Sequence, residues 1–195
     1  MKIEKYSVPQ SSFLAMEKDT ALIIDMMLKN ERLKKLLYYP TRDCLEKPNL
    51  TEDQTLSLIG NQIKTIPKIF VNNEDLIYVL INFDGYTPNF TNPEFRNNII
   101  TFDVVCNVDN WQLKDFQLRP YRIAAELDAM FSNKHLTGIG TLNFTGGLQV
   151  VMSPEHIGLN LSYLAIHGGE DKYGMPNVAD EEQFIQDYNK MYNQD

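Results

Sequence analysis

The sequence predicts an α+β fold: a mainly antiparallel sheet of four or slightly more strands, one helix packed across it, helices before it and another at the C-terminal end. Three observations carry this expectation. Residues 76–83 are β-branched or aromatic at nearly every position, as in a strand covered on both faces. Residues 99–108 alternate. Ile100, Phe102, Val104, Cys106 and Val108 fall on one side and Thr101, Asp103 and Asn107 on the other, so the second face is partly wet or meets a partner. Ile123, Leu127 and Met130 or Phe131 then recur at helical spacing, behind a Pro120 placed where a missing N–H is no loss.

The remaining elements follow in chain order. Residues 1–12 lack periodicity and read as an arm. A helix is expected from Asp19 or Thr20, with Leu22, Ile23, Met26 and Met27 as its stripe. Asn30 ends it and caps a second helix, carried by Leu33, Leu36 and Leu37 as far as Pro40. Residues 41–48 read as loop. Thr51 and Gln54 have capping-box spacing and open a short helix to about Ile59. Between the first two strands, residues 84–93 are too long for a tight turn and read as a projecting loop or a flexible hairpin tip, with Tyr86 and Phe90 exposed. Strands are expected over 138–144 with 148–152 around a Gly146-Gly147 turn, and over 159–167 after the Ser153-Pro154 break. Asp180-Glu181-Glu182 starts the last helix, with Phe184, Ile185 and Tyr188 on one stripe. The whole reads as a single domain: residues 1–70 an arm with helices, 71–168 the sheet-helix body, and 169–195 a loop and helix.

Composition narrows the function. A chain of 195 residues with 43% hydrophobic content buries one sizeable core. A net charge of −8 works against binding phosphate backbones, and the basic run Lys29, Arg32, Lys34 and Lys35 reads as a solvated helix face. Two cysteines, Cys44 and Cys106, give no disulfide framework, which favours a reducing compartment. No stretch approaches the roughly 20 apolar residues of a membrane span, and the start has no apolar run of a signal peptide. A soluble protein that is not exported is the expectation.

The search for chemistry returns little. His135, His156 and His167 have no ligand-spaced partners, Asp43-Cys44 has no second Cys or nearby His, and no nucleophile elbow, Walker loop or dinucleotide fingerprint occurs. No catalytic residue, cofactor or metal is therefore expected. The best enzymatic alternative pairs Asp84 and Asp103 with the later Gln112-Leu113-Lys114, a pattern similar to that of metal-dependent nucleases. Glu126 and Asp128, two apart on a helix, point to different faces and read as solvated.

The order of elements supplies a further clue. Strands over 77–83 and 99–111, a helix opened by Arg119-Pro120-Tyr121-Arg122-Ile123, and strands over 138–144 and 159–165 together resemble the tail-terminator and neck (head-to-tail joining) proteins of tailed bacteriophages. The likeness covers about half of the chain. It implies a non-catalytic virion protein that sits at the neck or tail after assembly in the host cytoplasm. It further implies a hexameric or dodecameric ring contacting portal or connector and tail proteins, with DNA only passing through the lumen and no membrane. The long N-terminal region and the C-terminal helix depart from the smaller members and suit a larger ring. Tyr86, Phe90, Asp103 and Tyr188 are the expected oligomer contacts, and a non-catalytic soluble binding protein remains the other alternative.

Overall fold

The computed structural model describes residues 12–65, 77–88, 95–136 and 140–168. The expected N-terminal arm and C-terminal helix lie outside these residues. Among the described residues four helices, α1 (Ser12–Lys29), α2 (Glu31–Tyr38), α3 (Glu52–Ser57) and α4 (Arg119–Phe131), accompany six strands. The strands are β1 (Ile63–Lys64), β2 (Ile77–Pro88), β3 (Phe95–Asn107), β4 (His135–Leu136), β5 (Gly140–Val151) and β6 (His156–Gly168). They form one sheet in the order β1-β2-β3-β6-β5-β4. Every neighbouring pair is antiparallel except β1 with β2, so the sheet is mixed at one edge.

The alternation read in residues 99–108 sets the architecture. Ile100, Phe102, Val104 and Cys106 are fully buried, facing the same core as Ile77, Val79 and Ile81 of β2 and Leu161, Tyr163 and Ala165 of β6. Ile23 and Met27 of α1, Leu33, Leu36 and Leu37 of α2, and Ile123, Leu127 and Phe131 of α4 close that core from the helix side. Phe131 stacks on Phe102 at 5.0 Å between centroids, and Phe102 meets Tyr163 edge-on at 5.8 Å. Among the described residues, the opposite face carries a small buried apolar cluster, Tyr78, Leu80 and Val105, with Met152 against it. Thus β2 is covered on both faces only near its start.

Local signals set several boundaries. The Asn30 side chain accepts the Leu33 N–H at 3.0 Å, and Thr51 and Gln54 make the expected reciprocal capping box. Helix α1 begins at Ser12 rather than near Asp19, because an 18-residue helix packed through Ile23 and Met27 does not need a strong cap. Two boundaries shift toward strand. β2 runs on to Pro88, with Gly85 at φ +72° taking a bulge between Asp84 and Tyr86, so residues 84–88 are hairpin arm. Gly146-Gly147 is not a turn either: β5 passes straight through, with a bulge between Phe144 and Gly146. Val108 leaves the sheet face and lies 41% exposed in a 3₁₀ turn.

Gly158 explains how closely β3 and β6 approach. A Cβ at this position would overlap the Val104 carbonyl oxygen, so any other residue would push the paired strands apart.

Candidate functional site

The helix side contains a fully buried guanidinium. Arg119, at the start of α4, is fully buried and donates all five of its N–H groups to backbone carbonyls: Nε to Asn110 (2.8 Å), Nη1 to Leu36 (2.7 Å) and Tyr39 (2.8 Å), and Nη2 to Pro40 (2.9 Å) and Thr41 (2.7 Å). These carbonyls include the unpaired C-terminal end of α2, where a positive charge also complements the helix dipole. Burial pulls the guanidinium pKa down, and the neighbouring Cys44 acts against that shift. Nearby, the Trp111 indole N–H lies between the carbonyls of Cys106 (3.3 Å) and Ile157 (3.2 Å) and ties the ends of β3 and β6 together.

The opposite face of the sheet is polar along its middle. Asp103 accepts from the amides of Asn82 (2.9 Å) and Asn160 (2.7 Å), Ser162 donates to Asn160 (3.0 Å), and Thr101 donates to Asp84 (3.0 Å). This network crosses β2, β3 and β6 and holds each side chain in one orientation. No described helix packs on it. Ile99, 39% exposed, and Leu148, 72% exposed, lie on the same face.

Two further features expose apolar side chains. β5 presents Phe144 (47%), Leu148 (72%) and Val151 (68%) to solvent. The turn Lys114–Gln117 holds Asp115 and Phe116 at φ +56° and +58°, the pair of left-handed residues of a type I′ turn, and Phe116 is 91% exposed at its tip. Its base is tied by the Leu113 N–H to Gln117 (2.8 Å), the Lys114 N–H to Arg42 (3.1 Å) and a Lys114–Glu46 ion pair.

The residues expected to contact neighbours are distributed as follows. Asp103 sits at the centre of the polar network, and Tyr86 lies in β2 paired with Asn98. Phe90 and Tyr188 lie outside the described residues. The nuclease pattern is not assembled: Asp103 is opposite Leu80, four residues before Asp84 on β2, and Lys114 is engaged with Glu46. No group of three or more potential metal ligands occurs among the described residues. Asp43 pairs with Lys47 at 3.0 Å, and Thr41 and Lys47 hold its carboxyl near 2. Both cysteines are free and buried, with burial raising the Cys44 thiol and pushing Cys106 to about 12.

Two expectations of solvated charge are corrected. Glu126 accepts from Asn30 (3.1 Å) and pairs with Arg32 (3.1 Å), and Asp128 accepts the Tyr163 hydroxyl at 3.0 Å. Within the basic run, Lys34 is buried, paired with Glu31 at 2.6 Å. Sequence reading missed Arg119, whose partners lie 78 to 83 residues away on the N-terminal side, apart from Asn110. Its only local signal is an arginine at the first helical position, where an acidic residue is preferred.

The geometry defines an α+β protein whose helices close a packed core on one side of the sheet and, among the described residues, leave the other side open. The chain belongs to the YomW family, which matches residues 30–165, more than half of its 195 residues. The match starts at the Asn30 cap of α2 and ends within β6, taking in the Arg119 junction and the polar network. YomW is a phage-like family, which suggests a prophage protein. No curated protein matches the chain.

Proposed function

We propose that the protein is a structural virion component of a tailed bacteriophage, forming a ring at the neck or head-tail junction that joins portal or connector to tail. The observation that carries this reading is the open sheet face: a polar network centred on Asp103, held by Asn82 and Asn160, with exposed Ile99 and Leu148 beside it. Fixed polar groups mixed with exposed apolar ones are what a subunit interface uses, whereas a reactive centre needs groups converging on one point. Membership of a phage-like family supports the same assignment. In this reading the protein is not an enzyme and takes no cofactor. Its partners are copies of itself with portal and tail proteins, and the net charge of −8 suits a channel through which DNA passes without sticking.

Native mass measurement tests the proposal. The full chain, alone or mixed with the portal and tail proteins of its phage, is expected to reach a mass of six or twelve protomers. A protein that stays monomeric in every mixture overturns the ring.

A further inference from the structure

We propose that β5 is a self-pairing edge: two copies of the chain join β5 to β5 antiparallel about a two-fold axis at Leu148, making one continuous sheet. The backbone gives the first argument. The Leu142 N–H donates to Lys134 (3.1 Å) and its carbonyl accepts from Asn133 (2.8 Å), so Leu142 faces away from β6. At the other end the Met152 N–H donates to His156 of the β6 side at 2.9 Å. Alternation between these anchors, with the shift at the Phe144/Gly146 bulge, turns the N–H and C=O of Phe144, Gly147, Gln149 and Val151 to the open edge. β4 covers only Gly140 and Thr141, and no other described strand runs beside the rest. Such a row is completed by another strand.

Charge selects a second copy as that strand. The chain carries a net −8, so two copies repel on average. Residues 135–169 contain a single Asp, Glu, Lys or Arg, Glu155, and β5 contains none and no proline. A second copy pairing along β5 meets no charged side chain of the strand itself. The long strand β2 is blunted by the Gly85 bulge, Asp84 and Pro88, the usual devices against edge pairing, whereas β5 has a bulge alone. Pairing at Leu148 sets Gly147 against Gln149 of the other copy and brings the two Leu148 side chains, each 72% exposed, together in a closely spaced pair with Cα atoms about 4.5 Å apart. The contact is isologous, so it stands apart from the head-to-tail contacts that close a ring.

Light scattering on the full chain and three variants tests it. The wild type is expected at an even number of 22.5 kDa protomers. Gln149→Pro removes an N–H the β5–β6 ladder does not use, and Leu148→Lys places a charge on the axis; each is expected to halve the mass with an unchanged circular dichroism spectrum. Leu148→Cys keeps a small apolar residue at the exposed site and is expected to form a disulfide-linked dimer under mild oxidation. A monomeric wild type overturns the proposal, including one whose edge amides at 147, 149 and 151 are protected from hydrogen exchange by the chain's own residues. Unchanged mass in both Gln149→Pro and Leu148→Lys overturns it, as does a Leu148→Cys that never cross-links. A ring indifferent to these variants leaves the neck reading standing and removes this one. A plain dimer lost with Leu148→Lys does the reverse.

Discussion

The two sides of the sheet treat polar groups in opposite ways. On the helix side, Arg119 is out of contact with water and every N–H it has meets a carbonyl of the same chain. On the open side, Asp103 is held by two amides yet stays partly exposed, and the β5 edge keeps backbone donors unused within the described sheet. The difference separates what the fold needs from what it offers. A closed polar set fixes one packing of α2, α4 and the 110–119 segment, because leaving any member unpaired is costly. An ordered but accessible set adds little to folding and leaves its remaining capacity to neighbours.

Substitutions on the two sides should therefore separate stability from assembly. The largest effect is expected from Arg119→Met, which strands several buried carbonyls and should lower unfolding free energy by about 3–5 kcal/mol, read from the urea midpoint. Arg119→Lys, with three donors for five acceptors, should recover only part of it. A middle effect is expected from alkali. The folded Cys106 thiol titrates near 12 against an ordinary 9.0, so the unfolded chain releases its proton first. Stability from this group is full below pH 9 and is lost above it at about 1.4 kcal/mol per pH unit until the folded value is reached. Urea midpoints at pH 8, 9 and 10 should show the loss, and Cys106→Val should flatten it. The smallest folding effect is expected from Asp103→Asn, under about 1 kcal/mol because the site is partly solvated. The same change should reduce assembly mass, and a large loss of stability with unchanged mass would assign Asp103 to the fold instead.

Where a physical signal was local, the sequence was legible. The one-sided alternation of Ile100, Phe102, Val104 and Cys106, the Ile123-Leu127-Phe131 stripe, the Asn30 cap and the Thr51–Gln54 box each depend on neighbours within a turn or a strand, and each is present. The misread segments turned on glycine and proline. Gly85, Pro88, Gly146 and Gly147 punctuate turns in most sequences, and here long antiparallel partners absorb them as bulges or strand ends. Interactions across the fold had no signature at all. Nothing beside Asp128 announces Tyr163, and nothing beside Glu126 announces Asn30. The polar face was readable as a class of residues through Thr101 and Asp103, while its partners Asn82 and Asn160 follow only from strand register.

The Arg119 junction also bears on how the chain is made. Four of its acceptors, from Leu36 to Thr41, are synthesised 83 to 78 residues ahead of the guanidinium that completes them. At a synthesis rate of about 5–20 residues per second, the end of α2 waits roughly 4–16 s on the ribosome for its counterpart. Throughout that interval the carbonyls at the end of α2 lack this partner, and the arrival of residues 110–119 completes the junction.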